Sequence, residues 1–513
     1  MRGYCTAGDR GGTEAAICRQ CGLRGCEAPR YNRGMKILFV SAEVAPFAKV
    51  GGLADVAGAL PKALKALGHD VRVVMPAYRA QEELGRQGKL IPRPGGMIVP
   101  TGHGPVAAGI YESTLPGSDV PIYFIANWSL FDRPNIYGYG DDVYRFAFFG
   151  RAALELCNVL DWWPEMLHAH DWHSAAAVTW LATAGQSDDR YRGIPSVFTI
   201  HNLAHQGKGP WDVLNYLGII THGLTEEGHG EVNFMARGIY HATMVNTVSP
   251  TYAQEIMTKE GGAGLDGLLR YRSFDVHGIL NGLDVDVWNP QTDGKLAAHF
   301  DAETLEARKA NKAALQKKLG LPERPEAPLL AMVTRLDWQK GVDIIGHPLH
   351  LLLNGGAGEA QVVIIGSGSP EAEAMLRGFQ DYHPDRMRAI LTYAPELAPL
   401  VYGGSDIFLM PSLFEPCGLG QMIAMRYGSV PIVRATGGLA DTVRDGVTGF
   451  IFRDFSGDAL WHAIQRAIYI FNVDPGSFAA LQRNGLEQDL SWRHSALGYQ
   501  QLFEWATARM RGW

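Results

Sequence analysis

The sequence predicts an α/β protein built from two doubly wound parallel sheets that face one another across a cleft. Three observations predict it. Short apolar runs of strand length alternate with stretches of helical spacing, first from Lys36 to Val248 and again from Leu329 to Val433. The chain has 513 residues, long enough for two or more domains at roughly 100–200 residues each. Glycine accounts for 61 of them with no collagen-like period, which points to many tight turns and close backbone approaches.

The elements follow in order. Lys36-Ile37-Leu38-Phe39-Val40-Ser41 is apolar after one lysine and reads as a buried parallel strand. Gly51 and Gly52 precede apolar positions at helical spacing over 53–67, and Gly68 stops that helix. Val71-Arg72-Val73-Val74-Met75 is the next strand, ended by Pro76, which completes a βαβ unit. Further strands are expected at 121–125, 166–169, 196–200 and 244–248, with helices over 142–160, 173–184 and 250–257. The second series has strands at 329–333, 361–365, 387–391, 407–410 and 430–433. Turn residues from Asn281-Gly282-Leu283-Asp284 to Asn289-Pro290 break the pattern between the two series. The expected division is an extension over 1–34, a first domain over 35–282 and a second over 283–490. An amphipathic helix within 491–513 is expected to pack back across the boundary.

Composition narrows the function classes. Hydrophobic residues are 46% and charged residues 19%, which excludes charge-driven disorder. The net charge of −7 is not that of a nucleic-acid binder with a basic surface. No apolar run reaches the roughly 18–20 residues that span a bilayer. Neither a nucleic acid nor a membrane is therefore expected as a partner. Four of the six cysteines, Cys5, Cys18, Cys21 and Cys26, lie near the N-terminus, leaving Cys157 and Cys417 for the rest. So sparse a usage fits a reduced, cytoplasmic compartment. The first 34 residues lack the apolar stretch of a secretory signal. Cys18-x-x-Cys21 with Cys5 and Cys26 offers a zinc knuckle of irregular spacing; the plainer reading is a disordered tail, or upstream sequence translated as protein. Folded patterning starts at Met35, which reads as an initiator.

Doubly wound sheets bind ligands beyond the carboxyl ends of their strands, and the chemistry-bearing residues cluster at such ends. Lys49-Val50-Gly51-Gly52-Leu53 follows the first strand. Its glycines let N–H groups approach an anion and Lys49 adds a point charge, although the same run also suits a plain turn. Gly51-Gly52-Leu53-Ala54-Asp55 recurs as Gly437-Gly438-Leu439-Ala440-Asp441 in the second half. His168-Ala169-His170-Asp171-Trp172-His173 ends a strand; zinc on His168 and His170 is one reading, and a polar site wall with Asp171 and Trp172 is the favoured one. His201-Asn202 ends another strand, in the site or as a structural pair. Arg335-Leu336-Asp337-Trp338-Gln339-Lys340-Gly341 holds two cations five residues apart, suited to a diphosphate or to a solvated loop. Gly366-Ser367-Gly368 adds a flexible turn. Phe414-Glu415-Pro416-Cys417-Gly418-Leu419-Gly420 offers Glu415 to sugar hydroxyls and a helix start to phosphate. Cys417 lacks the His–Asn partner pattern of a nucleophile.

These runs act together with Ser41-Ala42-Glu43-Val44-Ala45-Pro46-Phe47-Ala48, Phe198-Thr199-Ile200, Val248-Ser249-Pro250-Thr251-Tyr252-Ala253 and Leu280-Asn281-Gly282-Leu283-Asp284. In order and spacing the set resembles the bacterial glycogen synthases and plant starch synthases, retaining glucosyltransferases of the GT-B fold. The resemblance covers Met35 to the end. It implies two Rossmann-like domains and transfer of glucose from ADP-glucose to the 4-hydroxyl at the non-reducing end of an α-1,4-glucan such as glycogen. It implies that Lys49, with Gly51 and Gly52, binds the nucleotide sugar, that Arg335 and Lys340 neutralise its diphosphate, and that Glu415 orients the glucosyl unit. Asp171, His201, Asn281 and Tyr137 match positions around the sugar. Thr436, Gly437 and Gly438 match the second glycine turn near the phosphates, and Gly366, Cys417, Gly418 and Leu419 complete the substrate-binding set.

The resemblance implies no cofactor and no metal, since fixed cations compensate a leaving diphosphate. The family lacks a convincing carboxylate nucleophile of the glycosidase type, so the resemblance implies front-face attack within an ion pair over a covalent intermediate. Val50, His205 and Gly420 stand where the family commonly has Thr, Tyr and Ser or Thr. The rival readings are another GT-B glycosyltransferase of sucrose or trehalose type and a non-catalytic glucan-binding relative. Retention of Lys49, Arg335, Lys340 and Glu415 argues against the latter.

Overall fold

The computed structural model describes residues 34–79, 89–219 and 230–512. The N-terminal cysteines, and with them the zinc reading, lie outside the described residues. The continuous apolar runs form parallel strands buried on both faces by helices. Among the described residues the first sheet has ten strands. Its path runs Val276–Gly278, Met244–Thr247, Ser196–Ile200, Met166–His170, Lys36–Val40, Asp70–Pro76, Pro121–Ala126, Gly104–Thr114 and Ile91–Pro92, and Met97–Thr101 pairs with Gly104–Thr114. Pairing is parallel as far as Pro121–Ala126 and antiparallel beyond it. The second sheet has, among the described residues, six parallel strands, in the order Met387–Ile390, Gln361–Ile365, Leu329–Val333, Ile407–Met410, Val430–Arg434 and Phe450–Phe452. The α/β, doubly wound class read from the sequence is the class observed.

Strand order fixes where the crevices open. Lys36–Val40 has Asp70–Pro76 on one side and Met166–His170 on the other. Leu329–Val333 likewise lies between Gln361–Ile365 and Ile407–Met410. Connections leave in opposite directions at these points, so a crevice opens beyond the carboxyl ends. In register, Val40 lies opposite both Val74 and Ala169, so these strands end together. The chain beyond them carries Glu43, Lys49 and Asp171. The chain beyond the second pair carries Arg335, Lys340 and Glu415.

The antiparallel strands are not legible in the sequence. Pro92, Pro100 and Pro105 lie within them, and the outer strands of a sheet tolerate proline. The helix read at 173–184 begins as a tight turn over Trp172–Ser174 and becomes α-helical over Ala175–Ala182. The last helix, Trp492–Met510, packs on helix Gly52–Ala66 and on strands of the first sheet. Asn246 Nδ2 donates to the Tyr499 hydroxyl at 3.0 Å, and Ser495 Oγ to the Leu280 carbonyl at 2.6 Å. Leu502 and Phe503 are fully buried there, each burial stabilising by about 1.5–3 kcal/mol. No helix among the described residues is long and apolar enough to cross a membrane.

Candidate active site

Glu43, buried just past the first strand, organises the first crevice. Its Oε2 accepts from the N–H groups of Val50 at 2.6 Å and Gly51 at 2.9 Å, and its Oε1 from the Tyr137 hydroxyl at 2.7 Å. One carboxylate thus shapes the Lys49 loop and ties it to Tyr137. Tyr137 stacks on His173 with ring centroids 4.7 Å apart, and burial beside the Glu43 charge pushes its hydroxyl well up. Lys49 reaches Asp55 at 2.6 Å. A Cβ placed on Gly51 or Gly52 would meet nothing within 4 Å. The turn therefore borders open space at the N-terminus of helix Gly52–Ala66, where backbone N–H groups favour an anion. Glu43 escaped the sequence reading, although an acid at the end of an apolar strand and before a Gly-Gly turn is a signal.

Asp171 has φ 54 and ψ 176, a backbone that favours glycine. Such strain, of order 1–3 kcal/mol, persists only where neighbours fix it. Here Asp171 Oδ1 accepts from the His201 N–H at 2.7 Å, and the Asp171 N–H donates to the Thr199 carbonyl at 2.9 Å. Burial lifts its carboxyl to about 7 against the pull of the His201 and Asn202 N–H groups. Burial also depresses His201 to about 3, and holds His168 and His170 well below their ordinary value. His168 Nε2 lies 2.8 Å from Thr199 Oγ1, and His170 Nδ1 lies 2.9 Å from His201 Nε2. His168 and His170, for which zinc is the less favoured reading, are thus engaged within the wall itself. No cluster of three His, Cys, Asp or Glu side chains suited to a metal occurs among the described residues.

In the second crevice Lys340 Nζ lies 2.7 Å from Glu415 Oε2, and Ser412 Oγ donates to the same oxygen at 3.0 Å. Local sequence explains the placement. Asp337 caps the single turn Trp338–Lys340 by accepting from the Lys340 N–H at 3.2 Å. Gly341 follows with φ 75, and a Cβ there would lie 2.1 Å from the Pro411 carbonyl oxygen. Only glycine lets the two loops approach so closely, and the Leu413 N–H then bonds the Gln339 carbonyl at 2.9 Å. Arg335 is 62% exposed and pairs with Asp337 at 3.2 Å. The N–H groups of Gly418 and Leu419, just before helix Gly420–Arg426, have no partner among the described residues.

The two glycine pairs of the repeated pentapeptide do different work. The Gly437 N–H donates to Glu255 Oε1 at 3.0 Å, and the Gly438 N–H to the Glu415 carbonyl at 3.1 Å. A Cβ on Gly437 would lie 1.9 Å from that carbonyl oxygen. The turn packs against the Glu415 loop, and the N–H groups expected near the phosphates are bonded within the protein in this structure. Thr436 Oγ1 also donates to Glu255, at 3.0 Å. The Gly366 N–H, just past strand Gln361–Ile365, donates to the Ile390 carbonyl at 3.0 Å.

Burial pushes the Cys417 thiol up to about 12, against the nearby Asn281, so it is a packed thiol rather than a nucleophile. Asn281 is buried and its Oδ1 has no partner. At Gly420 a Cβ would lie 3.1 Å from Met410 Sδ, so the missing hydroxyl residue goes with a methionine that crowds the position. The two crevices adjoin. Ser249 Oγ donates to the Pro416 carbonyl at 2.6 Å, Thr251 Oγ1 to Asp441 Oδ1 at 2.6 Å, and Lys62 pairs with Asp284 at 2.8 Å. His205 is held below its ordinary value by burial and by the Arg335 charge.

Residues 36–271 match the family described as starch synthase catalytic domain, and residues 312–469 the glycosyl transferases group 1. A glycogen synthase of Moorella thermoacetica is 42% identical over 490 residues, covering 94% of this chain and 98% of its own. One from Thermotoga maritima is 41% identical over 489 residues, covering 93% and 100%. Among solved structures, the catalytic domain of starch synthase IV from Arabidopsis thaliana, bound to ADP and acarbose, matches with a TM-score of 0.85. It is 35% identical and covers 93% of this chain and 100% of that one. Sucrose-phosphate synthase from Thermosynechococcus elongatus shares the fold, with a TM-score of 0.56 at 19% identity over 92% of this chain and 99% of that one. With identity at this level over nearly its whole length, the chain belongs to the glycogen and starch synthase family of glycosyltransferases.

Proposed function

We propose that this protein lengthens an α-1,4-glucan such as glycogen by transferring glucose from ADP-glucose to a non-reducing-end 4-hydroxyl, with retention of configuration. The observation that carries the reading is the Lys340–Glu415 pair at the switch point of the second sheet. It joins a cation suited to a leaving diphosphate to a carboxylate suited to sugar hydroxyls. Residues 35–282 form the acceptor-side domain and residues 283–490 the donor-side domain in this reading, with the helix within 491–513 docked on the first.

Arg335 and Lys340 neutralise the diphosphate, and the unpaired N–H groups of Gly418 and Leu419 add to them. Lys49 leaves Asp55 to meet the donor. Glu415 accepts from glucosyl hydroxyls as Lys340 turns toward phosphate. Asp171, His201, Asn281 and Tyr137 line the sugar. As the bond from C1 to the phosphate oxygen breaks, negative charge grows on the diphosphate, and fixed cations stabilise that growth more than the ground state. Glu415 accepts from Ser412 and from the glucosyl hydroxyls, and Asp171 accepts from the His201 N–H, so both carboxylates are assigned to binding rather than to nucleophilic attack. The acceptor hydroxyl then attacks on the face from which the diphosphate departs, and a phosphate oxygen takes its proton. The test is incubation with ADP-glucose or UDP-glucose plus glycogen, following nucleoside diphosphate release and the new linkage by NMR. ADP release that depends on glycogen and yields α-linkages is expected; no release from either donor rejects the reading.

A further inference from the structure

His170 has no part in the chemistry above, yet its ring is the hydrogen-bond partner of the His201 ring. It is fully buried, 4.1 Å from the Phe39 ring and 4.1 Å from the His168 ring, centroid to centroid, and its Nε2 has no partner. His201 is placed differently. Its Nε2 lies 2.9 Å from His170 Nδ1, while its Nδ1 is neither bonded nor among the sealed, unpartnered atoms. Nδ1 is therefore the nitrogen that solvent reaches.

A single proton lies between the rings, because burial keeps both neutral near pH 7. If His201 donated it, His170 would carry its own proton on Nε2, a buried N–H with no acceptor. If His170 donates it, only a lone pair is sealed off. Orphaned buried N–H groups are rare in proteins, and the bond made by one ring nitrogen sets the proton on the other.

We propose that His170 is a positioning residue. By donating Nδ1–H to His201 Nε2 it fixes His201 with its proton on Nδ1, so that the sugar crevice meets a neutral donor suited to a hydroxyl oxygen. This deepens the reading of His201 as a sugar-site residue and rests on it.

Two measurements test it. In the full chain labelled with 15N-histidine, the His201 resonances are assigned by their loss in His201→Asn. A protonated Nδ1 and a bare Nε2 are expected, and the reverse overturns the proposal. In kinetics, His170→Leu should lower kcat roughly tenfold, the worth of one hydrogen bond, with the donor KM near native. His170→Asn, which keeps an N–H close to the Nδ1 position, should restore most of the loss. A folded His170→Leu with native kcat overturns the proposal. If His170→Leu does not fold, or the native chain transfers no glucose, the tautomer in the native protein decides the matter alone. Absence of transfer in the native chain would reject the glucosyltransferase reading and leave that measurement intact.

Discussion

Lys340 and Glu415 hold each other at 2.7 Å across loops that leave neighbouring strands of the second sheet, with side chains 17% and 8% exposed. A carboxylate so enclosed is destabilising once its cation is removed. Lys340→Ala is therefore expected to lower kcat by roughly 10²–10³ and to lower Tm as well. Adding Glu415→Gln should restore Tm without restoring kcat. Recovery of both together would show that the pair matters only to folding.

Arg335 separates the two effects, because its side chain is 62% exposed. Arg335→Ala should leave Tm unchanged while kcat falls by roughly 10²–10³. Near-native kcat in that variant would return the loop to the status of a solvated turn.

Glu43 should act through Lys49. Glu43→Gln weakens the acceptor that holds the Val50 and Gly51 N–H groups and the Tyr137 hydroxyl. The expected result is a raised donor KM with kcat less affected, as for Lys49→Gln, since uniform binding is what is lost. The double variant should cost less than the sum of the two singles. Strict additivity would separate Glu43 from the Lys49 loop.

Acid stability should follow the buried histidines. His168, His170, His173 and His201 are all held below their ordinary value of 6.5 by burial. The unfolded chain protonates them below about 6.5 while the folded chain does not, so stability is full above that pH and lost as pH falls through it. Asp171 acts in the opposite sense. Its carboxyl is raised from 3.8 to about 7, so its contribution is present at low pH and lost as pH rises through that window. The four histidines outweigh the one aspartate. Tm should fall between pH 6.5 and pH 5, and His168→Gln, which keeps a donor toward Thr199, should make the fall shallower. An equal slope in the two proteins would reject this account.

Catalysis should require closure of the two halves, because Lys49, Asp171 and His201 belong to the first and Arg335, Lys340 and Glu415 to the second. The hinge is expected in the boundary turns from Asn281 to Pro290. Small-angle scattering should show compaction with saturating ADP and a glucan. Identical profiles with and without ligands would count against closure.

The sequence by itself determined most of the parallel strands and the class they belong to. Gln361–Ile365 and Ile407–Met410 were legible as continuous apolar runs because a strand buried on both faces must be one. It also supplied the residue types that carry charge and hydrogen bonds to a sugar nucleotide. The tertiary structure alone decided where those residues stand and what they touch. Gly51-Gly52 and Gly437-Gly438 sit in identical pentapeptides, yet one pair borders open space and the other is pressed against the Glu415 carbonyl. The partner that takes the Gly437 N–H, Glu255, lies 182 residues away. The tautomer of His201 likewise depends on His170, 31 residues back on a neighbouring strand. Local sequence fixes which backbone a segment adopts, through propensity and apolar period. Which donor meets which acceptor depends on neighbours brought from far along the chain, and sheet order rather than sequence order chooses them.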